Sequence, residues 1–90
     1  MVNHLVELFY SEHCLGCPEA QQIVRRFALE RLDVTLVERD VAVEIGLARH
    51  YRLIATPAIV IDGGAVMYGV PRPAALAARV DSIAASEPRR

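Results

Sequence analysis

The sequence contains no lysine: all ten of its basic residues are arginines. Schiff-base catalysis by a lysine amine is therefore excluded. A basic surplus is missing as well. Ten basic residues against eleven acidic ones leave a formal charge of −1, whereas nucleic-acid binding calls for a basic excess or stripe. No apolar run approaches the roughly 18–20 residues of a membrane-spanning helix. The opening Met1-Val2-Asn3-His4-Leu5-Val6-Glu7 lacks the basic start and long apolar segment of an export signal. A cytosolic address and no membrane partner are the resulting expectations. With 90 residues, of which 53% are hydrophobic, the chain suits one small folded domain and leaves no segment for a second.

Cysteine is scarce: only Cys14 and Cys17 are present, spaced C-x-x-C. A cytosolic chain rarely keeps a purely structural disulfide, so the pair points to catalysis or metal binding.

Hydrophobic spacing places this pair. Residues 4–10 carry apolar side chains at 5, 6, 8 and 9 and read as a largely buried strand. From Pro18, which suits a first helical turn, the apolar positions Ala20, Ile23, Val24, Phe27 and Ala28 follow helical rhythm. Residues 34–39 form a second strand, and Asp40 is placed to cap a helix over about 41–51 with Ile45, Ala48 and Tyr51 inward. Ala58–Ile61 is a compact strand, Asp62-Gly63-Gly64 a hairpin turn, and residues 65–68 its return strand. Helical spacing resumes over 73–85, and residues 87–90 read as a frayed, flexible tail to a domain spanning 1–86. The order β-α-β-α-β-β-α predicts an α/β fold with a central mixed four-stranded sheet flanked by helices.

The cysteines thus fall between the first strand and the first helix, where unpaired backbone N–H groups favour a thiolate. Their i, i+3 spacing puts both sulfurs on one side of a helical turn, close enough to bond. Gly16 lets the backbone bend there without a Cβ clash. Cys14, at the loop edge, is expected to be the exposed nucleophile, and Cys17, inside the first turn, the covered resolving thiol. His13 could favour the Cys14 thiolate as a cation or donate a hydrogen bond as a neutral ring; a plain solvent-facing histidine is the other reading. A metal or metal-cluster carrier using Cys14, Cys17 and His13 is the alternative function. Such a site needs about two ligands beyond the cysteines, and His4, His13 and His50 are the histidines on offer. His4 and His50 otherwise read as structural or surface residues, and Tyr10 and Tyr51 as core or rim.

Thr56-Pro57 directly precedes an apolar strand. Either Pro57 is an ordinary strand-starting proline, or its peptide bond is cis and leaves the N–H and carbonyl of Thr56 free to pair with an extended substrate segment.

Together these residues resemble the thioredoxin-fold redox proteins, specifically the small thioredoxin/glutaredoxin-like proteins of bacteria and archaea. The resemblance covers almost the whole chain: Phe9-Tyr10 ending a strand, Cys14 to Pro18 opening a helix, Val37–Val41, Tyr51–Ala58, the Asp62-Gly63-Gly64 hairpin, and Gly69 ahead of a helix. It implies a thiol–disulfide oxidoreductase in which Cys14 attacks, Cys17 resolves and Pro57 is cis. Leu15, Gly16, Thr56, Pro57 and Gly69 would meet the substrate. Disulfide-containing proteins are the implied substrates, and a thioredoxin-reductase-type flavoenzyme or a low-molecular-weight thiol the implied electron donor. The chain would act as a monomer without organic cofactor or metal.

The chain also departs from thioredoxins proper. His13 and Leu15-Gly16 stand where those proteins have tryptophan and Gly-Pro, and tryptophan is absent altogether. Leu8 stands where they bury an acidic residue, which leaves Glu12, Glu38 or water to exchange a proton with Cys17. Val70-Pro71-Arg72-Pro73 replaces the acidic stretch with which glutaredoxins hold glutathione.

Overall fold

The computed structural model describes residues 3–86, so the tail at 87–90 lies outside the described residues. The elements follow the order read from the sequence: β1 (His4–Tyr10), α1 (Cys17–Leu29), β2 (Val34–Asp40), α2 (Ile45–His50), β3 (Ala58–Ile61), β4 (Met67–Tyr68) and α3 (Pro73–Ser86). The four strands form one mixed sheet in the order β2-β1-β3-β4. β1 runs parallel to β2 through the α1 crossover and antiparallel to β3, which is antiparallel to β4.

Strand alternation divides the core into two layers. Val6 and Leu8 of β1 and Ile59 and Ile61 of β3 face α1 and α3, where Ala20, Val24, Phe27, Leu76 and Val80 complete one cluster. The other side carries Phe9, Ala58 and Val60, covered by Val41, Leu47, Tyr51, Leu53 and Val66. Leu8 is fully buried in the first cluster. Placing β1 between β2 and β3 runs it through the middle of the molecule. Its C-terminal end then delivers the cysteine loop to one end of the sheet, beside the start of β3.

Two elements depart from the sequence reading. Asp40 ends β2 and caps a turn, its carboxylate accepting the Ala42 N–H at 2.9 Å and its carbonyl those of Val43 and Glu44. The helix starts later, is only six residues long and buries none of them, and Ile45 is exposed. The periodicity of 41–51 belongs partly to this turn. The return strand is likewise confined to Met67–Tyr68, since residues 64–66 are irregular.

No helix among the described residues is long and apolar enough to cross a membrane.

Candidate active site

Cys14 and Cys17 are joined by a disulfide, with Cα atoms 5.4 Å apart. Cys14 lies in the loop and is half-buried; Cys17 opens α1 and is 3% exposed. The intervening Leu15 projects entirely into solvent, at 100% exposure. The Cys17 N–H donates to the Cys14 carbonyl at 3.3 Å and that of Ala20 to Gly16. Because Pro18 has no N–H, the first turn presents fewer free donors to the sulfurs than an ordinary helix start does.

Gly16 is the N-cap of α1 with φ −85°, a conformation open to any residue. Close approach, not backbone bending, is what requires glycine here. A Cβ at this position would lie 3.2 Å from Val70 Cγ2 and 3.5 Å from Pro57 Cδ. The contact seats the cysteine turn on the loop that precedes β3.

In that loop the Thr56–Pro57 peptide bond is cis. Pro57 is buried, and its carbonyl accepts the Gly69 N–H at 3.0 Å. Gly69 has φ +87°, a region that β-carbon-bearing residues rarely enter. Cys14, Leu15, Gly16, Thr56, Pro57 and Gly69 therefore lie along one edge of the molecule. A shallow apolar concavity of about 230 Å³ opens beside Thr56, lined also by Val41, Ala48, Leu53, Ile54 and Ala55. A larger concavity along α1, bounded by Gln22, Ile23, Arg25, Arg26 and Leu29, includes none of these site residues.

The histidines are dispersed. His13, at φ +66°, is 89% exposed, its Nε2 3.8 Å from Glu12 Oε1. His4 sits at the far end of β1, about 20 Å away by strand rise. There it is buried, with Nδ1 2.6 Å from Asp62 Oδ2, and so is structural. His50 stacks edge-on against Tyr51. Among the described residues no three His, Cys, Asp or Glu side chains are grouped as a metal site would require.

Of the two carboxylates considered for proton exchange with Cys17, only Glu38 is engaged elsewhere. Glu12 is exposed in the loop. Glu38 receives Arg25 Nε and NH2, both at 2.7 Å, and Gln21 Nε2 at 2.9 Å. The Arg25 bonds hold its carboxyl below the usual carboxylate range against the opposing effect of burial.

Sequence reasoning missed two polar groups. Glu7, 3% exposed, is a buried carboxylate in β1, one position from Leu8 but on the opposite face of the sheet. It accepts Arg39 Nε at 2.7 Å and the Tyr51 hydroxyl at 2.9 Å, and Arg39 also reaches Glu44, the N-cap of α2, at 3.0 Å. Ser11, in the loop between β1 and α1, lies with its Oγ 2.7 Å from Thr56 Oγ1. The partners are 44 and 45 positions distant, respectively, beyond any local signal.

These features define a thioredoxin-fold protein with a C-x-x-C disulfide at a helix start, facing a cis-proline loop. A family model described as a thioredoxin domain matches residues 5–81. A thioredoxin from Methanocaldococcus jannaschii is 38% identical over 72 residues, covering 79% of this chain and 85% of that protein. Among solved structures, a malarial protein superposes with a TM-score of 0.79 at 16% identity, over 89% of this chain and 96% of its own. A mutant thioredoxin from Halobacterium salinarum superposes with a TM-score of 0.78 at 22% identity, over 99% of this chain and 80% of its own. These two likenesses are of fold. The chain belongs to the thioredoxin family and is a dithiol–disulfide oxidoreductase. Membership implies, in general terms, disulfide-bearing protein substrates and a reductase or thiol as electron donor.

Proposed function

We propose that this protein, a cytosolic monomer, reduces disulfides through Cys14 as nucleophile and Cys17 as resolving thiol. The Cys14 thiolate attacks one sulfur of the substrate disulfide. A Cys14–substrate bond forms, the substrate S–S bond breaks, and its second sulfur leaves as a thiolate that takes up a proton. Cys17, deprotonated, then attacks Cys14 Sγ, forming the intramolecular disulfide and releasing the remaining substrate thiol. Two electrons pass to substrate, and a flavoenzyme reductase or a low-molecular-weight thiol restores the dithiol.

The carrying observation is the unequal exposure of the two sulfurs. Cys14 is half-buried at the loop while Cys17 is 3% exposed inside α1, so an incoming disulfide meets Cys14 first. Substrate would lie across Leu15, Gly16, Thr56, Pro57 and Gly69 as an extended segment paired to the backbone of Thr56. His13, beside Cys14, would favour the thiolate electrostatically.

Trapping tests the order of attack. Cys17→Ser should accumulate a mixed disulfide with a protein disulfide such as insulin, and Cys14→Ser should form none. Equal trapping by the two variants would overturn the assignment.

A further inference from the structure

We infer that Ser11 is a positioning residue for disulfide exchange: its hydroxyl latches Thr56 and thereby fixes the cysteine loop against the loop that receives substrate. This rests on the proposed redox role of Cys14 and Cys17.

The cysteine loop has few ties of its own. β1 ends at Tyr10, whose carbonyl still accepts the Val41 N–H, and α1 begins at Cys17. Between them, among the described residues, the backbone bonds are those from Cys17 N–H to Cys14 and from Ala20 N–H to Gly16, both local to the helix start. The facing loop is equally sparse. Arg52 and Leu53 are tied back to α2, the Ile54 N–H reaches the Tyr68 hydroxyl at 3.4 Å, and Pro57 is held through its carbonyl by Gly69.

Among the described residues, two of the contacts that join these loops lie one on either side of Cys14. After it, Gly16 packs on Pro57. Before it, the Ser11 and Thr56 hydroxyls meet at 2.7 Å in a half-buried position, the one side-chain hydrogen bond between the two loops among the described residues. A hydroxyl–hydroxyl bond at this distance is well formed. It also settles how Thr56 is used. The side chain is spent on Ser11, while neither the N–H nor the carbonyl of Thr56 has a partner among the described residues. Those two groups stay available to an extended segment at a height set by the latch. Loss of the latch matters because an extended segment pairs with those two groups only where their position is held, whereas a small disulfide does not use them.

The test is a double-mutant cycle of Ser11→Ala and Thr56→Val, read as kcat/KM for insulin and for a small symmetrical disulfide, at a temperature where every variant is folded. Each single variant should lose about fivefold toward insulin, the size of one hydrogen bond. The loss should appear in KM more than in kcat, and the insulin-to-small-disulfide ratio should fall. The double variant should lose no more than either single one, and Thr56→Ser should restore the rate. A merely structural role would lower the unfolding midpoint and leave the substrate ratio where it was, which would overturn the inference. So would losses that multiply in the double variant. If Ser11→Ala behaves as the parent while Cys14→Ser is inactive, the latch fails and the redox reading stands. If Cys14→Ser remains active, the redox reading itself fails.

Discussion

Glu7 accepts the hydroxyl of Tyr51 at 2.9 Å on the face of the sheet opposite the cysteine helix. Through this bond and the Arg39 bridge to Glu44, one carboxylate holds both ends of α2, a helix that buries none of its own residues. Tyr51 is also the starting point of the loop that ends at Pro57. Removing one partner from a buried ion pair strands the other, at about 3 kcal/mol, whereas removing one hydroxyl costs about 1 kcal/mol. Glu7→Ala should therefore lower the unfolding free energy in urea by about the larger amount and Tyr51→Phe by about the smaller. A neutral Glu7→Ala would mean that α2 is held by its apolar contacts alone.

The same contact sets an alkaline limit. Burial first, then the hydrogen bond to Glu7, raises the Tyr51 hydroxyl above its ordinary 10.0. Its folded-state pKa exceeds the unfolded one, so the contribution is complete below pH 10.0 and is lost as pH rises through the folded value. Ultraviolet titration should show a tyrosine ionising above 10.0, and Tyr51→Phe should remove that step. A late step that survives Tyr51→Phe would contradict the assignment.

At the acid end the relevant group is Glu38, whose Arg25 and Gln21 bonds tie β2 to α1. Its pKa is depressed below 4.5, so its stabilisation is present above that pH and fades as pH falls through the folded value. Arg25 is partly exposed and screened by solvent. We expect Glu38→Gln to cost about 0.5–1 kcal/mol at pH 7 and the difference from the parent to close in acid. Denaturant titrations at several pH values measure this, and a gap that does not narrow as the pH falls below 4.5 would refute it.

Gly16→Ala asks whether glycine is needed there for space. The backbone is ordinary, so the difficulty lies with Val70 and Pro57, 3.2 and 3.5 Å from the added carbon. Overpacking of this kind costs about 1–2 kcal/mol, and Val70→Ala in the same chain should recover most of it. Gly69→Ala, strained by φ +87° with open space around it, should cost about 1 kcal/mol that Val70→Ala does not relieve. Thermal unfolding of these variants separates the cases, and a Val70→Ala that rescues nothing would refute Val70 as the obstruction.

His13→Ala should raise the pH at which the Cys14 thiol ionises, followed by thiolate absorbance of the reduced protein. The histidine is 89% exposed, so added salt should shrink the effect. An unchanged titration curve would leave His13 a solvent-facing loop residue.

Much of this architecture was legible because α1 and α3 carry apolar residues at helical spacing, while β1 and β3 are short apolar runs, β3 closed by the Asp62-Gly63-Gly64 turn. The C-x-x-C and the Thr56-Pro57 pair were legible as local motifs. α2 was not, because a turn begun by Asp40 and a helix begun at Ile45 carry apolar residues in a spacing that resembles one longer helix. Glu7 was hidden for a different reason. A carboxylate within an otherwise apolar strand has no local partner; Arg39 and Tyr51 arrive from 32 and 44 positions away. Ser11 was hidden in the same way, since a serine after a strand looks like any polar connector until Thr56 is set beside it.

The sulfur bridge closes a ring of only three positions, and neither cysteine belongs to either apolar cluster. So short a ring removes far less freedom from the unfolded chain than a long one would, because the entropic gain grows with the logarithm of the enclosed length. Opening and closing it should therefore leave the scaffold intact, so that electrons can pass in repeated rounds with no refolding between them.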